Sequence, residues 1–75
     1  MKEKDKKRLN KFGVHLSKLR EKKGLSQRGL SSRCDVDYGK ISKIENNHVN
    51  LSVTTLIELA EGLEVHPRDL LDIDF

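Results

Sequence analysis

Seventy-five residues are enough for one small domain with a modest core, so stability of only a few kcal/mol is expected. Charged residues (36%) match hydrophobic ones (35%), with one proline, no Trp and few aromatics, which favours a compact helical chain over a sheet or a disordered segment. No apolar run approaches the roughly 20 residues that span a bilayer, no signal peptide is visible over Met1 to Phe12, and the single Cys34 cannot form an internal disulfide, so a cytosolic, reducing location is expected.

Met1 to Arg8 (MKEKDKKR) is almost entirely charged and reads as a solvated extension that frays or continues the first helix outward. Leu9, Phe12, Leu16 and Leu19 recur at helical spacing, which predicts an amphipathic helix over Leu9 to Lys23. Gly13 within it lowers helicity and permits a close helix contact, and Gly24 marks the stop. Ser26 is an N-cap for a short second helix in which Leu30 and Cys34, four apart, form an apolar stripe, so Cys34 reads as a buried structural thiol. Asp35 tolerates a left-handed or turn backbone, and Val36 plugs the turn into the core.

Asp37 is an N-cap candidate for a third helix over about 37–46. Ile41 and Ile44 give it one buried face, while Tyr38, Gly39, Lys40, Ser42 and Lys43 lie opposite. Asn46 and Asn47 suit its C-terminal cap, and Asn47 to Leu51 is a loop. Ser52 caps a fourth helix whose apolar residues Val53, Leu56, Ile57, Leu59, Ala60 and Leu63 form a face wider than one core stripe, with Gly62 weakening the last turn. Glu64 to His66 is a short link, Pro67 fits the first position of a fifth helix, and Asp69 falls in its first turn. Five helices and no strand are expected: a charged extension at 1–8, then one domain at 9–75 with a C-terminal region for self-association.

Charge is unevenly placed. Residues 1–48 carry 14 Lys+Arg against 6 Asp+Glu, and residues 49–75 carry 1 against 6. Surface lysines alone do no more than solvate. A basic portion carrying a short helix, a tight turn and an exposed polar helix is instead the footprint of a chain that lays that helix in the DNA major groove.

The stretches LSKLREKKGLSQ (16–27), VDYGKISKIENN (36–47) and NLSVTTLIELAEGLEVHPRDLL (50–71) resemble the lambda-repressor/Cro-type helix-turn-helix family, also called the XRE family, without gaps over Leu16 to Leu71. The resemblance implies an all-α, five-helix regulator of transcription that binds a two-fold symmetric operator as a homodimer. It implies that Gln27 anchors to phosphate and braces the reading helix, with Ser26 and Arg28 beside it at the start of the second helix. Asp37, Tyr38, Gly39 and Lys43 fall on base-facing positions, Ser42 lies on the same face, and Lys40, Asn47 and His48 fall near backbone phosphates. Arg20 and Glu45 match a structural pair that fixes the reading helix. The short length is similar to restriction–modification controller proteins and phage Cro-like repressors, and it also fits the antitoxin of a toxin–antitoxin pair.

Departures from the family pattern bear on readout. Gly29 stands where Glu is usual and so removes the capping-box partner of Ser26. Asp35 and Asn47 stand for glycines, and Leu51 for a proline. Asp37 is better read as a cap than as a base contact, and Gly39 has no side chain to read with. Direct readout then rests on Tyr38, Lys43 and Lys40, with DNA shape as a further source of selectivity.

His15, His48 and His66 lie far apart with no metal-ligand spacing. His15 reads as a solvated helix residue, His66 as a cap or packing residue, and His48 as a phosphate contact or simply exposed. Asp72 and Asp74 in the tail LLDIDF make a poor catalytic pair. No nucleophile, phosphate loop, metal or cofactor site is expected, and no enzymatic activity. Val53, Ile57, Leu71, Ile73 and Phe75 are the candidate dimer interface, the competing reading being a tail folded back on its own core. The alternative function is a protein-interaction module, antitoxin-like, that keeps the fold and reads DNA weakly or not at all.

Overall fold

The computed structural model describes residues 2–46 and 49–75. Asn47 and His48, the loop residues expected near phosphates, lie outside the described residues. Among the described residues the chain forms α1 (Glu3–Lys22), α2 (Gln27–Ser31), α3 (Tyr38–Asn46), α4 (Val53–Leu63) and α5 (Pro67–Leu70), with no strand.

The charged N-terminal run is helical from Glu3, six residues before the apolar periodicity begins. Glu3 and Asp5 at the N-terminal end, with Arg20 and Lys22 in the last turn, complement the helix dipole. Gly24 (φ +73°) ends α1 in a left-handed cap: its amide donates to the Glu21 carbonyl (2.9 Å), and that of Leu25 donates to the Arg20 carbonyl (3.1 Å).

Phe12, Leu16, Leu30, Val36, Ile41, Ile44, Leu59, Ala60, Leu63 and Leu70 form one core fed by all five helices. Two glycines set how closely the helices pack. A Cβ on Gly13 would lie 2.5 Å from the Ile44 carbonyl oxygen, so α1 sits directly on the α3 backbone. A Cβ on Gly62 would lie 2.9 Å from Leu30 Cδ1 and 3.1 Å from Cys34 Cβ, which brings α4 onto α2. Gly62 is therefore a packing residue, and the left-handed position ending α4 belongs to Glu64 (φ 58°).

Of the two backbone options for Asp35 the turn holds, and the reading of His15 needs correction. Glu64 is the one non-glycine residue with positive φ among the described residues, so Asp35 is not left-handed; its amide donates instead to Glu58 Oε1 (2.8 Å), tying the α2–α3 turn to α4. His15 is half-buried rather than solvated, with Nε2 2.7 Å from the Asp69 carbonyl oxygen, a bond that fastens α5 to α1. His66 does cap α5, its Nδ1 accepting from the Arg68 amide (3.0 Å) while its own amide donates to Asp69 Oδ2 (3.1 Å).

Candidate nucleic-acid interface

The two short helices are built by their caps. Ser26 Oγ accepts from the Gly29 amide (2.9 Å) at the start of α2, and Asp37 Oδ1 accepts from the Lys40 amide (2.7 Å) at the start of α3. Asp37 therefore spends its carboxylate on the helix. Between them, Ser31 Oγ donates to the Val36 carbonyl (3.0 Å), closing the turn. Ile41 and Ile44 are wholly buried, and this fixes the rotation of α3. Tyr38 (41% exposed), Gly39, Lys43 and Asn46 face outward, with Lys40 and Ser42 half-buried at the edges.

A polar network beneath α3 sets its orientation. Arg20 Nε and Nη2 donate to the two carboxylate oxygens of Glu45 (2.8 and 3.0 Å) in a bidentate pair that is 9% and 8% exposed. Arg20 Nη1 donates to the Leu25 carbonyl (2.7 Å), and Gln27 Nε2 donates to Glu45 Oε1 (2.9 Å). Three helices thus meet at one carboxylate: α1 through Arg20, α2 through Gln27, and α3 through Glu45 itself. Donating to the Glu45 carboxylate raises the pKa of the Arg20 guanidinium above the ordinary arginine value, against burial, which lowers it.

One contact had no signal in the pattern. The Arg28 guanidinium carbon lies 4.3 Å from the centre of the Tyr38 ring, joining the start of α2 to the start of α3. Nine residues separate the two, so only the packing of α2 on α3 brings them together.

Cys34 is half-buried against the core, its Sγ 3.4 Å from the Leu30 carbonyl, and burial pushes its thiol pKa up, so the group is neutral and weakly nucleophilic. Among the described residues no group of three His, Cys, Asp or Glu side chains gathers where it could hold a metal, and no helix is long and apolar enough to cross a membrane.

The apolar candidates divide. Val53 (71% exposed), Leu71 and Phe75 line a cleft of about 250 Å³ with Leu9, Phe12, Leu51 and Leu56, and Ile57 is exposed one turn beyond Val53 on α4. Ile73 is half-buried against α1, beside Val14 and His15. Lys11 Nζ donates to the carbonyls of Asp74 and Phe75 (3.1 and 3.3 Å), so the tail does fold back, yet it leaves Leu71 and Phe75 in solvent.

The fold recurs in known proteins. A helix-turn-helix family model matches residues 16–70. The chain is 36% identical over 62 residues to the control protein C.BamHI of Bacillus amyloliquefaciens, covering 81% of this chain and 76% of that one. It is 39% identical over 61 residues to the control protein C.MunI of a Mycoplasma species, covering 80% and 82%. The crystal structure of the restriction–modification controller protein C.AhdI from Aeromonas hydrophila superposes with a TM-score of 0.79 at 37% identity, covering 83% of this chain and 94% of that one. The controller C.Esp1396I, solved as a tetramer on its natural 35-base-pair operator, superposes with a TM-score of 0.77 at 33% identity, covering 85% and 84%. Fold, helix-turn-helix and relatives agree: the chain belongs to the XRE-type helix-turn-helix family and is homologous to the restriction–modification controller proteins.

Proposed function

We propose that this protein is a transcriptional regulator that binds two-fold symmetric operator DNA as a homodimer, with α3 in the major groove, and controls a restriction–modification system. The observation that carries the reading is the exposed Tyr38–Lys43 face of α3, locked from below by two buried isoleucines and the Arg20–Glu45–Gln27 network. A helix held on one side and polar on the other is what base-edge readout requires. Asp37, acidic beside the DNA, would argue for a protein-interaction module, but its carboxylate is occupied by the Lys40 amide.

A homodimer is supported by the apolar surface left open by Val53, Ile57, Leu71 and Phe75. A two-fold dimer sets its reading helices about 34 Å apart, one turn of DNA. C.Esp1396I, crystallised with its operator, is the relative that makes duplex DNA the expected partner. Ser26 and Gln27 would face the backbone beside α3, with Arg28 next to them at the start of α2.

Selection of bound sequences from a random duplex library tests this directly. Enrichment of an inverted repeat with half-sites about one turn apart is the expected result. Recovery of unenriched DNA would overturn specific readout and turn attention to a protein partner.

A further inference from the structure

Arg28 and Tyr38 are drawn together by the fold, and their neighbours leave both free to face a ligand. Arg28 is exposed, and no carboxylate among the described residues pairs with its guanidinium; the ion pairs there use Arg8, Arg20 and Arg33. Next to Tyr38 the chain has Gly39, and a Cβ built there would meet nothing closer than Asp37 Oδ1 at 3.8 Å. The outer face at the start of α3 is therefore an aromatic ring with a gap beside it and a guanidinium over it.

We propose that Arg28 and Tyr38 act as one base-reading unit in which the ring is a shelf and the guanidinium reads a guanine. This rests on α3 lying in the major groove and adds what is read there and by which residue. A guanidinium stacked on an aromatic face keeps its in-plane N–H donors free, because the face contact uses the π cloud and not the N–H edge. Its fork matches guanine O6 and N7, the acceptor pair that the major groove displays at a G·C pair. An arginine on a mobile stem loses much of its rotamer freedom on binding; one already resting on a ring loses less. Tyr38 contributes through its ring face, so its hydroxyl is dispensable for this contact. Arg28 belongs to α2, so the base specified would be set by the helix that ordinarily only braces the reader.

The test is random-duplex selection with the full chain and the variants R28A, R28K, Y38F and Y38A, each first checked for a wild-type melting transition. Both residues are on the surface, so all four should fold. The wild type should enrich a guanine at one defined position of each half-site. R28A and R28K should lose that preference by roughly 5- to 150-fold while other positions keep theirs, because lysine has no planar fork. Y38F should keep the preference, and Y38A should weaken it at the same position. An R28A variant that binds all sequences less well with unchanged preferences would make Arg28 a phosphate contact and overturn the proposal. A Y38A variant that alters a different position from R28A would also overturn it. If the wild type enriches no sequence, the DNA-reading function itself fails, which is a distinct result.

Discussion

Replacing Glu45 with alanine should remove a large part of this protein's stability, about 3 kcal/mol. The carboxylate accepts two hydrogen bonds from Arg20 (2.8 and 3.0 Å) and one from Gln27 (2.9 Å). Without it, the Arg20 guanidinium stays buried with the Leu25 carbonyl at 2.7 Å and Ser17 Oγ at 3.4 Å as its remaining partners. Breaking a buried pair by deleting one member costs about 3–5 kcal/mol. Gln27 is only half-buried and can turn to water, so the lower end of that range, about 3 kcal/mol, is the better value here. A 75-residue domain has about 4–11 kcal/mol in all. With a urea m-value near the small-protein limit of about 1 kcal/mol/M, the midpoint should fall by about 3 M in a far-UV circular dichroism titration. A loss below about 1 kcal/mol would refute the reasoning, because it would mean that Arg20 reaches water on its own.

Gly13→Ala should destabilise by about 1–3 kcal/mol although alanine is the better helix former by about 1 kcal/mol, because the new methyl meets the Ile44 carbonyl and α1 must move off α3; a raised melting temperature would contradict this. If the native chain sediments as the proposed homodimer, the Ile73→Ser/Phe75→Ser double variant should sediment as a monomer at the same concentration, and an unchanged dimer would exclude the tail from the interface. In anisotropy titrations at fixed salt, Gln27→Ala should weaken binding to operator and random duplex alike. Lys43→Ala should instead narrow the gap between them by roughly tenfold, and the reverse pattern would remove α3 from the groove.

The helix order, both caps of the helix-turn-helix and the Arg20–Glu45 pair were legible because each has a local or motif-level signature. Ser26 and Asp37 cap their helices as short polar side chains do wherever an apolar run follows. Glu64 was not legible, since nothing in its chemistry marks it for the left-handed position that glycine normally takes. Gly62 reads in sequence as a weak point of α4, whereas its role depends on the approach of Leu30 in α2 and Cys34 just after it, about thirty residues upstream. The bond from His15 to Asp69 and the Arg28–Tyr38 stack were invisible for the same reason: both are products of packing between elements. At the candidate site, the residue types that face outward could be read from periodicity. What each side chain is free to do could not, and Asp37, spent on its own helix, is the plainest case.

A buried ion pair is weak evidence of stabilisation, since apolar residues of similar volume often serve as well or better. Its position here argues for a different role. Glu45 is in the last turn of α3, and its partners come from α1 and α2, so the pair ties the far end of α3, the proposed reading helix, to both helices that support it. Isoleucines at 41 and 44 hold the helix against the core but tolerate small rotations, because apolar contacts are not directional. Bidentate hydrogen bonds do not tolerate such rotations. The double variant R20M/E45M should therefore fold with a urea midpoint near that of the native chain, far above Glu45→Ala, yet bind its operator at least roughly tenfold more weakly. Native-like affinity in a folded double variant would mean that the apolar face alone orients α3, and that the ion pair serves stability after all.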